Sequence, residues 1–314
     1  MNTLFTADPV RAATFVTDGK LVVFPTETVY GLGAHAFDEK AVEQVYQAKK
    51  RPTSNPLIVH IGTLTDVLHI AREVAPLAKL LMNAFFPGPL TLILPRHPSL
   101  PGIVSGGLDT VAVRMPALPL AIKFLNAACI PVVAPSANLS GCPSATTWQS
   151  AAEDLNHRVH CILCGPPSTL GLESTVVDCT SELPMLLRPG AISEEQLRTV
   201  IPEFSTTPPD EFRSPGMRYN HYAPNAKIRL IENPNDVHPN NSSGYIGLLP
   251  PPLISQFKMC RVLADKNDYS HSLFEFFRDC DRSGIKTIYC QKVDQAGIGR
   301  ALMDRLIRAA KSTK

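Results

Sequence analysis

The chain has 314 residues, a length that favours two domains over a single hydrophobic core. Hydrophobic residues make up 44% and charged residues 18% of the sequence, a balance that excludes an intrinsically disordered protein. The net charge of +2 gives no overall electrostatic reason to expect stable nucleic-acid binding. No apolar run approaches the ~20 residues of a transmembrane helix and no secretory signal is recognisable, so we expect a cytoplasmic protein without membrane contact.

The first two hundred residues predict a mixed α/β domain. Asp8–Pro9 begins a capped helix that ends at Gly19, a strand follows over 21–26, and a second helix over 38–49 delivers a cationic triplet at 49–51. Further strands are expected over 57–61, 90–94, 110–114, 131–134, 161–163, 174–178 and 185–188. Further helices are expected over 64–86 with an interruption near Pro76, over 118–128, and over 193–201 with a capping box. Strands outnumber helices between 90 and 190, which favours a mixed sheet.

The remaining residues predict a linker and a second, smaller domain. Residues 202–226 contain five prolines and little periodicity, which is typical of an extended linker. Strands over 228–231, 245–249 and 286–290 then alternate with helices over 271–282 and 298–311. This alternation predicts a small α/β domain with a mainly parallel sheet. The expected division is therefore 1–201, 202–226 and 227–314.

Eight cysteines are present, mostly within apolar runs and without the spacing of a secreted disulfide framework. Cys161 and Cys164 form a CxxC pair, but a structural zinc site needs two more ligands and the sequence offers no second such pair. We therefore expect reduced thiols and no protein-bound metal.

Polar clusters follow several of the predicted strands. The sequence contains no P-loop, no HExxH zinc pair and no GxSxG elbow. Arg114 and Arg188 each end an apolar strand, where an arginine is costly to bury without a partner. With the cations at 49–51, they would favour phosphates or carboxylates in a shared pocket. Taken singly, the clusters also fit turns, caps and a solvated helix end, and His60 also fits a core histidine.

Seven segments carry a resemblance to a known family: PTETVYGLG, KKRPTSNPLIVHI, FPGPLTLILP, GGLDTVAVRMP, APSANLSGCPSATT, GLESTVVD and LLRPGAI. In this order they closely resemble the YrdC-like domain of L-threonylcarbamoyladenylate synthases. SPGMRYNHYAP and GIGRALMDRLIRAA are similar to the linker and C-terminal domain of the long form of that family. The resemblance covers about residues 8–311. It implies a YrdC-like mixed-sheet α/β domain joined by an extended linker to a smaller Rossmann-like α/β domain.

The resemblance implies an enzyme, a nucleotidyltransferase that condenses L-threonine, bicarbonate and ATP to threonylcarbamoyl-AMP and pyrophosphate. In this family the product passes to a separate threonylcarbamoyl transferase, which makes threonylcarbamoyladenosine in tRNA. ATP is expected as a substrate together with Mg²⁺, and the metal would be held largely by phosphates and water.

The resemblance also assigns residues position by position. At the reaction centre it places Lys49, Arg51, Ser136 and Asn138. On the ATP side it places Arg51, Asn55, Thr110, Ser136, Ser144, Arg188 and His221. On the threonine side it places Thr28, His60, Arg114, Ala134 and Ser174. Lys49 and Arg51 would neutralise the triphosphate, and Arg114 would grip the threonine carboxylate as a bidentate fork.

Two loops receive a specific expectation. The TET sequence at 26–28 would end its strand beside threonine, and Gly31 and Gly33 would let the chain turn sharply. SPGMRYNHYAP would act as a lid over the nucleotide, because a plain tether has no need of so many aromatic and cationic side chains. The alternative is a linker that only packs on the C-terminal domain.

The chain departs from the usual family pattern at a few positions. Lys50 stands where the family more often has a small residue, and Asp304 stands where an asparagine is common. Neither change removes an assigned residue.

Two other functions compete with the synthase. An RNA-binding module would show salt-dependent affinity for RNA without consuming ATP, but few aromatic residues are interleaved with the basic ones. A carbamoyl-phosphate-dependent carbamoyltransferase would resemble hydrogenase-maturation relatives, whose acylphosphatase and zinc-finger segments do not occur in this sequence.

Overall fold

Two β-sheets organise the chain in a computed structural model that describes residues 1–206 and 222–312. The larger sheet is mixed and has ten strands, in the spatial order β1-β8-β2-β3-β7-β4-β6-β5-β9-β10. Its strands are β1 (Leu4–Thr6), β2 (Val22–Phe24), β3 (Gly31–His35), β4 (Ile58–His60), β5 (Leu90–Pro95), β6 (Thr110–Arg114), β7 (Val132–Val133), β8 (Cys161–Leu163), β9 (Thr175–Asp178) and β10 (Met185–Arg188). The mixed sheet predicted from the sequence is confirmed.

Seven helices accompany this sheet within the described ranges: α1 (Pro9–Thr17), α2 (Glu39–Lys49), α3 (Val67–Ile70), α4 (Pro76–Phe85), α5 (Pro119–Ala128), α6 (Trp148–Leu155) and α7 (Glu194–Arg198). The predicted caps are present, since Asp8 accepts the backbone N–H of Val10 and Ser193 accepts that of Gln196. The predicted helix over 64–86 is broken between α3 and α4, and Pro76 begins the second piece. None of the described helices is both long and apolar enough to span a bilayer.

The second sheet is smaller and fully parallel, as the alternating pattern predicts. It contains β11 (Lys227–Ile231), β12 (Ser243–Gly247), β13 (Met259–Val262) and β14 (Thr287–Gln291), in the order β11-β14-β12-β13. Helices α8 (Lys266–Arg282) and α9 (Gly299–Ser312) pack their apolar faces into its core. Both helices also contact the first domain through charged side chains, and these contacts matter for the site below.

Strand β3 was not predicted, and the sharp turn expected at its glycines is wrong. Gly31 and Gly33 lie inside the strand, paired with Phe24 and Val22 of β2, and neither has a positive φ. A Cβ atom at Gly33 would lie 3.0 Å from the Val132 side chain and 3.1 Å from the Phe24 ring. These positions therefore need glycine because side chains pack closely against the strand, not because the chain turns there.

Helix α2 ends abruptly and thereby places the cations of the 49–51 triplet. Lys50 is its C-cap and has the left-handed conformation, with φ 53° and ψ 44°. A residue with a Cβ atom has a cost of roughly 1 kcal/mol in this conformation, and only glycine avoids it. The reversal leaves Lys50 exposed while Lys49 is buried, with 1% of its surface accessible.

All eight cysteines have free thiols, and Cys161, Cys179, Cys280 and Cys290 are buried. Burial raises the pKa of the Cys161 thiol to about 12, so this member of the CxxC pair stays protonated at neutral pH. Across residues 1–206 and 222–312, no group of three or more His, Cys, Asp and Glu side chains is arranged to hold a metal ion.

Candidate functional site

A cavity lies at the ends of β4 and β6, next to the segment that follows β7. His60 and Arg114 are the last residues of β4 and β6 and lie opposite each other in this parallel pair. Most of the residues that the sequence singles out line this cavity: Thr28, Lys49, Arg51, His60, Arg114, Ala134, Ser136, Asn138, Ser144, Ser174 and Arg188. The polar strand ends therefore converge, as the sequence predicts.

Two of the singled-out residues that the structure describes, Asn55 and Thr110, are not among those lining the cavity. Asn55 is buried behind Arg51, and its backbone carbonyl accepts hydrogen bonds from Arg51 Nε at 3.2 Å and from the Tyr46 hydroxyl at 3.2 Å. Thr110 begins β6, at the opposite end of that strand from Arg114. His221 lies outside the described residues, as does most of the segment expected to form a lid.

Lys49 points into the cavity from the last turn of α2. Its Nζ donates to the backbone carbonyls of Ser136 and Asn138, each at 2.5 Å. Burial, and then the nearby charge of Arg51, hold the pKa of Lys49 well below its usual range. An anion bound beside Lys49 would favour its charged form, so the site is suited to a ligand that carries several negative charges.

Arg51 and Asn138 complete this side of the cavity. Arg51 Nη2 donates to the Pro56 carbonyl at 2.9 Å, which fixes the guanidinium after the turn that ends α2. Asn138 Nδ2 donates to the carbonyls of Leu139 and Cys142, at 2.8 and 2.9 Å. Asn138 Oδ1 is buried and accepts no hydrogen bond from the described part of the chain, so it can accept one from a ligand.

Arg114 also lines the cavity, and three hydrogen bonds fix its guanidinium. Its Nη1 donates to the Thr28 hydroxyl at 2.6 Å, its Nη2 to Glu27 Oε1 at 2.6 Å, and its Nε to the Gly88 carbonyl. Glu27 is a buried carboxylate that the sequence reasoning did not single out, although it lies between Thr26 and Thr28 in the quoted TET sequence. This ion pair offsets the cost of burying the guanidinium and fixes its orientation.

His60 lies next to Arg114 and is buried against the edge of the Phe24 ring, at 5.8 Å between ring centroids. Burial, and then the charge of Arg114, lower its pKa to about 3. The imidazole is therefore neutral at physiological pH and does not act as a cation toward an anionic ligand.

The low pKa of His60 has a measurable effect on stability. An imidazole in the unfolded chain takes up a proton near pH 6.5, whereas the folded one does so only near pH 3, so stability falls as the pH drops below 6.5. We expect His60→Asn to remove this term. The free energy of unfolding of the variant should gain about 2 kcal/mol relative to wild type between pH 6.5 and pH 5, measured by chemical denaturation. A difference that is independent of pH would show that His60 takes up a proton as readily in the folded as in the unfolded chain, which would contradict its lowered pKa.

Ser144, Ser174 and Arg188 form a third wall. Arg188 Nη2 donates to the backbone carbonyl of Ser174 at 2.9 Å and to its hydroxyl at 3.1 Å. The Ser144 hydroxyl donates to Glu173 Oε1 at 2.6 Å. Burial opposes ionisation of Glu173, but the charges of Arg305 and Arg188 outweigh it, and its pKa lies below its ordinary value.

Two further residues meet the cavity wall: Tyr222, from the segment expected to form a lid, and Arg305 of the second domain, which the sequence reasoning missed. Tyr222 lines the cavity and stacks on Phe274 of α8 at 5.3 Å between ring centroids. Arg305 of α9 is buried and bonds Glu173. Arg305 falls at helical spacing with Leu302 and Ala309, on the apolar face of the tail helix, and this position is the sequence signal that could have indicated the contact.

The arrangement is electropositive. Four cationic side chains, Lys49, Arg51, Arg114 and Arg188, line the cavity, whereas Glu173 is the carboxylate among its described lining residues. Glu173 is already paired with Arg305, and Glu27 with Arg114. The cavity can therefore hold two anionic groups, one beside Lys49 and Arg51 and one beside Arg114.

Two family models match the chain. One, described as "Telomere recombination", matches residues 14–190. The other, described as "Threonylcarbamoyl-AMP synthase, C-terminal domain", matches residues 192–311. Together they cover the smaller sheet and every strand of the larger sheet except β1.

Relatives of similar length carry one name. The chain is 40% identical over 315 residues to a protein of Pyrococcus abyssi named threonylcarbamoyl-AMP synthase. The alignment covers 95% of this chain and 93% of that protein. It is 38% identical over 327 residues to a Bacillus subtilis protein of the same name, and that alignment covers 98% of this chain and 94% of that protein.

The fold also matches a solved structure described as P. abyssi Sua5 complexed with L-threonine. The TM-score is 0.89 and the identity 38%, over 99% of this chain and 97% of that chain. A structure of E. coli YciO matches at a TM-score of 0.52 with 24% identity and covers 60% of this chain, which is a likeness of fold alone.

Proposed function

Since the chain belongs to the threonylcarbamoyl-AMP synthase family, we propose that its electropositive cavity is the place where L-threonine, bicarbonate and ATP are joined. The observation that carries this proposal is the convergence of two anion-binding halves in one cavity. One half is built around Arg114 and Thr28, and the other around Lys49 and Arg51. A reaction that joins an amino acid to a nucleotide needs both halves side by side.

The half around Arg114 binds threonine in this proposal. Glu27, Thr28 and the Gly88 carbonyl accept one N–H from each nitrogen of the guanidinium, and the remaining two N–H groups can donate to the threonine carboxylate. His60, Ala134 and Ser174 form the rest of this half. A neutral His60 adds no second cation beside the threonine amine. The ammonium proton converts bicarbonate to CO₂ and water, the neutral amine then attacks the CO₂ carbon, and the carbamate forms with release of one proton to solvent.

The half around Lys49 binds the triphosphate. A carbamate oxygen attacks the α-phosphorus, the bond from that phosphorus to the bridging oxygen breaks, and pyrophosphate leaves with the electron pair. Lys49 and Arg51 stabilise the charge that develops on the phosphoryl oxygens, and Ser136 and Asn138 hold the neighbouring loop and orient the phosphates. Ser144 and Arg188 contact ATP from the third wall, and Asn55 supports Arg51 from behind.

Thr110 and His221 remain assigned to ATP by resemblance. Thr110 would need to reach the nucleotide from the start of β6, and His221 would do so from the segment that precedes Tyr222. The position of Tyr222 at the cavity supports a lid at the end of that segment.

Magnesium would arrive with ATP. The carboxylates at the cavity are engaged by arginines, and the described residues offer no cluster of metal ligands, so the donor set suits a metal held by phosphate oxygens and water. When bound, the ion would neutralise charge on the leaving pyrophosphate.

The product would then leave for another enzyme. Threonylcarbamoyl-AMP is a small mixed anhydride, so a separate threonylcarbamoyl transferase can collect it for tRNA modification without stable tRNA binding by this chain. We place this step in the cytoplasm, where ATP and tRNA are available. We also propose the division into a synthase domain (1–201), a linker (202–226) and a C-terminal domain (227–314).

The proposal predicts how pyrophosphate release depends on the substrates. Release from ATP should require both L-threonine and bicarbonate, because the nucleophile is the carbamate formed from them. We expect the rate of pyrophosphate release to fall by at least about tenfold when threonine is omitted, and by as much when bicarbonate is left out of a bicarbonate-depleted buffer. Water could replace the carbamate as nucleophile only slowly, since it is poorly placed in the cavity. Release that is indifferent to threonine would contradict the proposal.

A further inference from the structure

Arg305 links the C-terminal domain to the cavity wall. It lies on α9 and is fully buried, with 0% of its surface accessible. Its Nε donates to Glu173 Oε2 at 2.7 Å, and its Nη2 donates to the Pro189 carbonyl at 3.0 Å. Both acceptors belong to the first domain, so a single side chain of the second domain holds two segments of the first.

These two segments carry residues that the proposed function assigns to ATP. Glu173 lines the cavity and accepts the Ser144 hydroxyl at 2.6 Å. Pro189 directly follows Arg188, whose guanidinium binds the Ser174 carbonyl at 2.9 Å. Arg305 therefore fixes the wall from which Ser144 and Arg188 would reach the nucleotide.

The charge of Glu173 makes this contact matter for ATP. An ionised carboxylate in the cavity wall repels a triphosphate unless a cation compensates it. Arg305 supplies that cation and is not itself among the described residues that line the cavity. Asp304, on the same turn of α9, bonds Arg305 Nη1 and so holds the guanidinium in place.

A second arginine of the same domain supports the neighbouring loop. Arg278 of α8 is buried, and its Nη2 donates to the Pro143 carbonyl at 2.6 Å and to Asp154 Oδ2 at 2.8 Å. Asp154 in turn accepts the backbone N–H of Leu139 at 3.0 Å. The loop between Asn138 and Ser144 is thus held at both ends through the C-terminal domain.

Other ion pairs between the domains differ in position and exposure. Arg282 bonds Glu153 at 2.7 Å, and its side chain is 39% exposed. Arg300 pairs with Glu194, and its side chain is 35% exposed. None of these four residues lines the cavity. Adhesion between the domains therefore does not by itself account for a fully buried arginine placed behind the cavity wall.

We propose that Arg305 is a positioning residue for ATP, through which the C-terminal domain takes part in the reaction of the first domain. This inference rests on the proposed function, because it concerns the nucleotide half of the same cavity. Arg305 acts through Glu173 and Pro189 and does not touch the substrate. Arg278 supports the adjoining loop in the same way.

The test compares Arg305→Met and Arg305→Lys in the full-length chain. We expect Arg305→Met to raise the KM for ATP at least tenfold while the KM for L-threonine changes less than twofold. Arg305→Lys keeps the charge, so its KM for ATP should lie between that of Arg305→Met and that of wild type. The matched control is Arg282→Met, which removes an exposed interdomain ion pair and should leave both KM values within twofold of wild type.

The double variant Glu173→Gln, Arg305→Met separates positioning from loss of folding. It removes the uncompensated carboxylate, so its KM for ATP should return at least threefold toward wild type from the Arg305→Met value. An unchanged ATP KM in Arg305→Met, or equal increases in both KM values, would overturn the inference. The same holds if Arg305→Met cannot be folded and the double variant, once folded, has the ATP KM of wild type. A wild-type chain that releases no pyrophosphate in this assay would instead overturn the proposed function, and the inference with it.

Discussion

Lys49→Met is expected to lower kcat for threonylcarbamoyl-AMP formation by about a thousandfold, the scale seen when a preorganised charge is removed from a phosphoryl-transfer site. Lys49 is buried at the cavity, and its Nζ donates only to backbone carbonyls of the described residues, so its charge is not neutralised by a carboxylate contact. Methionine keeps the length and apolar contacts of the side chain. The loss should therefore appear in the chemical step, measured by product formation at saturating ATP and threonine.

Lys50→Met is the matched control for this variant. Lys50 is the next residue and has the same side chain, but it is exposed and does not line the cavity. Its kcat should stay within about twofold of wild type, since surface substitutions are usually small in effect. Equal losses in the two variants would mean that the net charge of the triplet matters and that the buried position of Lys49 does not.

Arg114→Ala is expected to raise the KM for L-threonine by about a hundredfold, because a buried, bidentate charge contact is worth roughly 3 kcal/mol. The KM for ATP should change less than twofold, since the hydrogen-bond partners of Arg114, Glu27 and Thr28, differ from those of Lys49. The measurement is the initial rate as a function of each substrate. An unchanged KM for threonine would show that Arg114 does not bind threonine.

Two further variants control for the buried partner of Arg114. Loss of the guanidinium leaves Glu27 as an uncompensated buried carboxylate, which costs about 3–5 kcal/mol of stability. Arg114→Ala combined with Glu27→Gln should therefore recover stability without recovering threonine affinity. Arg51→Ala should affect the other substrate: it should raise the KM for ATP and leave the KM for threonine nearly normal.

Local patterns predicted much of the fold. The strands over 110–114, 161–163 and 185–188 have the predicted bounds, because each is a short apolar run between turn residues. The caps at Asp8 and Ser193 are also as predicted, since a side-chain acceptor near a helix start acts within a few residues. These features depend on neighbours in the sequence.

Other elements depend on distant partners and could not be predicted this way. Strand β1 has three residues and exists because it pairs with β8, more than 150 residues later. Strand β3 contains two glycines, which favour a turn locally, but the close packing of Phe24 and Val132 requires glycine in a strand. Tertiary contacts overrode local preference in both cases.

The same distinction holds for the site. Burial of Arg114 and Arg188 at strand ends was predictable, because a charged residue at the end of an apolar strand needs a partner. The identity of the partners was not, since Glu27 lies 87 residues from Arg114 and Glu173 lies 132 residues from Arg305. No local pattern indicates which carboxylate meets which arginine. The contribution of the C-terminal domain to the cavity therefore required the structure.

The most direct test of the account is the isotopic composition of the product. The purified chain is incubated with ATP, L-threonine and ¹³C-bicarbonate, and the nucleotides are separated and identified by mass spectrometry. We predict threonylcarbamoyl-AMP that is one mass unit heavier than the unlabelled product, together with an equal amount of pyrophosphate. Formation of AMP and pyrophosphate without a labelled threonylcarbamoyl group would contradict the account.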